Sequence, residues 1–154
     1  MVRVKHRYLI CQVMLEPTGK QSDFSAKDIL IAIKDRLQLL FGDIGSGTIG
    51  SHLIIKFFDA QSCIFVIRTM RDSVNDAWFA LSCTNEIKKQ ACTIRCLNMC
   101  GCERTCFGDL KRLLEVYVRN ANSCSRPNST SGQMNEEEIS RKILEYDALI
   151  DNIV

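Results

Sequence analysis

The sequence predicts an α+β domain in the order βαββαβ, followed by a further helix and a helical tail. Three observations carry this. A chain of 154 residues with 46% hydrophobic content holds one core comfortably and is short for two. Runs rich in β-branched and aromatic residues alternate with segments whose apolar positions recur at three-four spacing. Turn chemistry, such as Pro17-Thr18-Gly19 and Asp59-Ala60-Gln61-Ser62, separates them.

Taken in order, Val4 to Leu15 reads as the first strand, ended by Pro17 to Gly19. Ser25-Ala26-Lys27-Asp28 resembles a capping box, and Ile29, Leu30, Ile33, Leu37, Leu40 and Phe41 then follow helical spacing up to Gly42, a plausible stop. Ile44 to Thr48, rich in Gly and Ser, reads as a loop. Ile49 to Phe58 and Cys63 to Met70 read as a hairpin, apolar on both faces and so suited to interior strands rather than an exposed edge. Asp72 or Ser73 caps a second helix expected to bury Val74, Ala77, Trp78 and Leu81. Ala91 to Met99 is a fourth strand, and Glu103 or Thr105 begins a third helix with Cys106, Phe107, Leu110, Leu113, Leu114 and Tyr117 on one face. This is the split βαβ, ferredoxin-like plan.

Beyond this domain, at residues 1–119, the segment 120–135 turns to Asn, Ser, Pro, Gly and Thr and reads as a flexible linker. Residues 136–154 form an amphipathic helix, capped by Asn135, with three Glu at its dipole-positive start. Its stripe of Ile139, Ile143, Tyr146, Ile150 and Ile153 packs either on the domain or on another subunit.

The balance of 20 Lys and Arg against 18 Asp and Glu is too even to announce a polyanion partner, so the argument rests on where the charges lie. Glu136, Glu137 and Glu138 concentrate acid near one end, while the first seven residues carry bases and no acid. No apolar run approaches the ~18 residues that span a bilayer, and the start lacks a signal-peptide core. A soluble intracellular protein without a membrane role is expected. Nine cysteines then favour reduced thiols over a disulfide framework.

Arg3, Lys5 and Arg7 alternate, so on a strand their charges share one face at a spacing of about 6.6 Å, suited to a run of phosphates. The competing reading is a solvated strand end. His6 stands opposite with Tyr8 and lacks a visible partner for acid-base work. Gly101 before the third helix permits a sharp turn, whose free amides, with Arg104 and Thr105, suit a phosphate. The alternative is a capping turn carrying a surface arginine. Arg68 lies late in an apolar strand and Arg71 follows at its exit; a structural ion pair competes there with an RNA contact. Lys56 is equally ambiguous, whereas Lys111, Arg112 and Arg119 read as a solvated helix face.

Cys96, Cys100, Cys102 and Cys106 offer four thiols within eleven residues, which motivates a runner-up reading as a ferredoxin-like metal or small-ligand module. Paired Cys-x2-Cys knuckles are missing, and buried thiols usually act as small hydrophobes. Walker, Gly-x-Ser-x-Gly and His-Glu-x-x-His motifs are absent, and only two histidines are present. Cys63 to Arg68 also lacks the Gly-aromatic pattern that stacks single-stranded bases.

Four blocks carry a family resemblance: Met1 to Leu9, Phe57-Phe58-Asp59-Ala60, Arg68 followed by Arg71 and Trp78, and Gly101-Cys102-Glu103-Arg104-Thr105-Cys106. Together they resemble the small RRM-like protein subunit shared by ribonuclease P and ribonuclease MRP, the fifth processing-of-precursor family, in its eukaryotic form. The resemblance spans Met1 to about Val118. It departs at Cys102 and Glu103, where the family tends to have Thr and Ile. It implies an RRM-like fold and a non-catalytic role on ribonuclease P RNA and ribonuclease MRP RNA, in the processing of precursor tRNA and of rRNA. It further implies magnesium ions held with the RNA and no cofactor in the protein, a TIM-barrel-like protein subunit as heterodimer partner beside other subunits, and a nuclear, nucleolar location. The RNA-contacting set it supports is Arg3, Lys5, His6, Arg7, Arg68, Arg71, Gly101, Arg104 and Thr105.

Overall fold

The computed structural model describes residues 4–15, 24–123 and 136–152, the side chains of 121–123 and 136–139 excepted. In chain order the elements are β1 (His6–Leu15), α1 (Ala26–Gly50), β2 (Ile54–Asp59), β3 (Ile64–Met70), α2 (Val74–Cys83), β4 (Glu86–Ile87), β5 (Gln90–Cys100), α3 (Glu103–Ser123) and α4 (Glu136–Asp151). The antiparallel sheet has the order β2-β3-β1-β5-β4, so the four longer strands realise the RRM-like, ferredoxin-like arrangement. Two compact units divide the chain, residues 1–102 with the sheet, α1 and α2, and residues 103–154 with α3 and α4.

Within the first unit, strand alternation sends Leu9, Cys11 and Val13 of β1 to one face. Phe65 and Ile67 of β3 and Cys92 and Ile94 of β5 join them. Against this layer α1 lays Ile29, Ile33 and Leu37, and α2 lays Val74, Ala77, Ala80 and Leu81. Each large aliphatic group so enclosed contributes about 1.5–3 kcal/mol. The start of α1 is fixed by Asp28, whose Oδ2 accepts from the Ser25 N–H and the Ser25 hydroxyl, both at 2.7 Å. Lys88 closes on the same carboxylate at 2.8 Å. Lys88 and Ser25 together hold the Asp28 carboxyl down at about 2, from an ordinary 3.8.

Four expectations are corrected. The first helical run of α1 does end at Gly42, which is non-helical at φ 67° and ψ −168°, but a second run follows at once through the Gly- and Ser-rich stretch to Gly50, where Ile44 to Thr48 was expected to be a loop. Burial of Ile49, Gly50 and Leu53 anchors that continuation, which outweighs the poor helix propensity of its glycines. Strand β2 is an edge, not an interior strand; the register irregularity between Ile55 and Phe57, where half-buried Lys56 sits, blunts it against pairing. Trp78 is 49% exposed, because Ala80 rather than Trp78 completes the buried face of α2. Finally, β4 forms a hairpin with β5 through Lys88 and Lys89, both at positive φ. That is a two-residue turn of the kind usually built from Asn-Gly, so its sequence carried no signal.

In the second unit α4 packs on α3, and Lys111 Nζ lies 3.3 Å from Asp147 and 2.9 Å from Asp151. These carboxylates raise the Lys111 pKa, the hydrogen bond to Asp151 most. Helix α3 runs to Ser123, into the stretch expected to be linker, whereas residues 124–135 lie outside the described residues. No described helix is long and apolar enough to cross a membrane.

Candidate nucleic-acid interface

Antiparallel pairing brings three strand ends together. Where β1 begins, β3 and β5 finish: His6 stands opposite Met70, and Tyr8 stands opposite both Arg68 and Cys100. The Arg71 backbone N–H donates to the Lys5 carbonyl at 2.9 Å, extending the β1–β3 ladder past the sheet. On the β5 side, Arg7 Nη1 lies 3.8 Å from the place a Cβ on Gly101 would occupy. One end of the sheet therefore gathers Lys5, His6, Arg7, Arg68, Arg71 and Gly101, residues separated by up to 96 positions in sequence. Arg3 lies outside the described residues.

Alternation sorts them by face. Arg7 stands opposite Thr69 on the side of Leu9 and Ile67, whereas Arg68 pairs with Tyr8 on the other side. Lys5 and Arg71 are exposed, and His6, Arg7 and Arg68 are half-buried. Arg7 Nη1 donates to the His6 carbonyl at 3.0 Å, which fixes its guanidinium and leaves other N–H groups to donate. None of Lys5, Arg7, Arg68 and Arg71 forms an ion pair among the described residues. By contrast Lys111 is held by two carboxylates, and Arg112 lies 3.6 Å from Asp109, the solvated face expected of α3. Among the described residues the structural ion pair considered for Arg68 is thus not formed, and its Nε is buried without a hydrogen-bond partner. Unneutralised cations at one sheet end are the arrangement a polyanion needs.

Gly101 behaves differently from expectation. Its φ is not positive and an added methyl would meet Arg7 only at ordinary contact distance, so the turn does not require glycine. Glu103 opens α3 and is half-buried; Arg104 and Thr105 follow in its first turn, both exposed and both in the second unit.

The four-thiol constellation does not assemble. Cys96 packs against the core on the face of α1 and α2, where Cys11 is its cross-strand partner, while Cys100 pairs with Tyr8 on the opposite face. Cys102 is exposed. Among the described residues no group of metal-binding side chains is gathered, and the metal-module reading finds no support. A hydrogen bond with Cys11 instead holds the Cys96 thiol below its ordinary pKa, and burial pushes Cys63 and Cys92 up. Tyr8 and Phe57 are buried, so neither offers a ring for stacking a base.

The sheet order and the helices packed on it define an RRM-like α+β protein, with cations gathered at one end of the sheet. The chain belongs to the Rpp14/Pop5 family, which it matches over residues 7–111. It is 29% identical over 111 residues to the ribonuclease P/MRP protein subunit POP5 of Schizosaccharomyces pombe, covering 66% of this chain and 79% of that protein. Against the human ribonuclease P/MRP protein subunit POP5 the identity is 23% over 128 residues, with 78% of each covered. A chain in the cryo-EM structure of yeast ribonuclease MRP shares the fold with a TM-score of 0.51 at 11% identity, over 78% of this chain and 96% of that one.

Proposed function

We propose that this chain is a non-catalytic subunit of ribonuclease P, and of ribonuclease MRP, that binds and stabilises the catalytic region of the RNA. The observation that carries the reading is the convergence of Lys5, Arg7, Arg68 and Arg71 on one sheet end, with no ion pair to a carboxylate among the described residues. Membership of the Rpp14/Pop5 family supports the RNAs of ribonuclease P and ribonuclease MRP as that polyanion. The task is electrostatic: fixed cations relieve phosphate repulsion where RNA folds tightly, so cleavage of the 5′ leader of precursor tRNA, and rRNA processing, stay with the RNA. His6, Gly101, Arg104 and Thr105 complete the proposed contact set, and Arg3 extends it.

The set contains no carboxylate, the side chain that most often holds magnesium in a protein, which supports magnesium ions held with the RNA. The proposed partners are the two RNAs, a TIM-barrel-like protein subunit as heterodimer mate and further protein subunits; the proposed place is the nucleus and nucleolus. Copurification with the tagged full chain, followed by sequencing of bound RNA, tests the reading. Enrichment of ribonuclease P and MRP RNAs is expected. Cleavage of precursor tRNA by the purified chain alone, or enrichment of neither RNA, would overturn it.

A further inference from the structure

Of the nine cysteines, the sheet sets two face to face. Cys11 of β1 and Cys96 of β5 are register partners across the antiparallel ladder, and among the described strands no other cysteine stands opposite a cysteine. Directly opposed residues of such a ladder share a face and hold their Cα atoms about 4.5–5.5 Å apart, inside the roughly 4.4–6.8 Å that a disulfide spans. A hydrogen bond joins the two side chains, so the thiols are already in contact. Cys92 instead stands opposite Leu15, and Cys100 opposite Tyr8.

The two members are unequal. Cys11 is fully buried, whereas Cys96 is half-buried at the margin of the core. The ladder passes from Ile10 and Asn98 to Cys11 and Cys96, so Leu97 is an extra, bulged residue beside the pair, and it is exposed. Cys96 Sγ also donates to the Asn98 carbonyl at 3.6 Å. The hydrogen bond with Cys11 lowers the Cys96 pKa while burial raises those of Cys63 and Cys92, so Cys96 supplies thiolate more readily than they do.

We propose that Cys11 and Cys96 form a dithiol that hydroperoxides oxidise, Cys96 reacting first and Cys11 resolving it into a cross-strand disulfide. The Cys96 thiolate attacks one peroxide oxygen; an S–O bond forms, the O–O bond breaks, and the departing hydroxide takes up a proton as water. Cys11 sulfur then attacks the Cys96 sulfenic sulfur; the S–S bond forms, the S–O bond breaks, and hydroxide leaves with the Cys11 proton as water. Two thiols lose two electrons, and one hydrogen peroxide is reduced to two waters. Neither step uses the cations of the sheet end, so the inference does not rest on RNA binding.

The full chain, reduced and then freed of reductant, is titrated with hydrogen peroxide; remaining thiols are blocked with iodoacetamide and the digest is mapped by mass spectrometry. The expected first product is a linked Cys11 and Cys96 peptide pair, with loss of two of the nine free thiols and their recovery on adding dithiothreitol. In Cys11→Ala the expected product is Cys96 sulfenic acid, trapped by dimedone. Mapping of the unaltered chain decides the matter even where that variant fails to fold. Oxidation confined to exposed Cys102, Cys96 linked to any other cysteine, or Cys11 and Cys96 both left reduced overturns the inference.

Discussion

The backbone N–H of Arg71 donates to the carbonyl oxygen of Lys5, fastening the end of β3 to the start of β1 at 2.9 Å. Two exposed cations thus sit on backbone already fixed by folding, next to Arg7, whose guanidinium is itself held by the His6 carbonyl. Ordering their backbone is part of folding and costs nothing further at binding, so the remaining cost is side-chain freedom. The proposed RNA contact therefore depends on the register of β1 against β3, since Lys5 and Arg71 flank those strands.

Replacing Lys5, Arg7 and Arg71 together by Ala is expected to reduce the slope of log affinity against log salt by about 0.7–0.9 per lost phosphate contact. Melting is expected to change little for Lys5 and Arg71, which are exposed. Filter binding across a range of salt concentrations measures this. An unchanged slope would remove these residues from the interface.

How far the sequence spoke depended on whether the deciding force was local. Strand β1, the β2–β3 hairpin and the Ser25–Asp28 cap were legible because alternation and capping act over a few residues. The course of α1 past Gly42 was not, because burial of Ile49 and Leu53, not propensity, keeps residues 43–50 helical. The Lys88-Lys89 turn was hidden by residues unusual at positive φ. Each basic residue of the site could be named singly, but only strand register shows that Arg71 meets Lys5 and that Arg7 adjoins Gly101. The exposure of Trp78 was missed because it also fits an apolar helix face, and nothing local distinguishes a buried tryptophan from an exposed one.

Acid should probe the Asp28 network. The folded carboxyl is held at about 2 against an ordinary 3.8, first by Lys88 and then by Ser25. A depressed carboxylate contributes stability that is fully present above its unfolded pKa and is lost as pH falls through the folded one. Asp28→Asn is therefore expected to lower the melting temperature at neutral pH, and the gap to the parent should close between about pH 4 and pH 2. Salt should narrow it too, since the pair is solvated. A gap constant with pH would show that the carboxylate charge is idle.

The glycines of α1 should separate by environment. At Gly45 an added Cβ would lie 2.2 Å from Phe41 Cβ, and Gly42 sits at φ 67°. Ala at either position is expected to cost roughly 1–3 kcal/mol. Gly47 has nothing within 4 Å, so Gly47→Ala should stabilise by up to about 1 kcal/mol. Urea denaturation of the three variants gives the ranking. Equal effects would mean that the bend at Gly42 imposes no backbone constraint.

Arg68 offers the sharpest division between structure and function. Among the described residues its Nε is buried without a hydrogen-bond partner, and an unsatisfied buried donor costs about 1–3 kcal/mol. Met would fill a similar volume without the orphaned donor, so packing alone does not call for a guanidinium there. Arg68→Met is therefore expected to leave the melting temperature unchanged or raise it, while weakening binding to the ribonuclease P RNA and lowering its salt slope. Arg68→Lys keeps the charge but loses the forked donor, so it should recover the slope more fully than the affinity. Loss of stability in Arg68→Met with RNA affinity intact would assign the guanidinium to the fold and leave the sheet end to Lys5, Arg7 and Arg71.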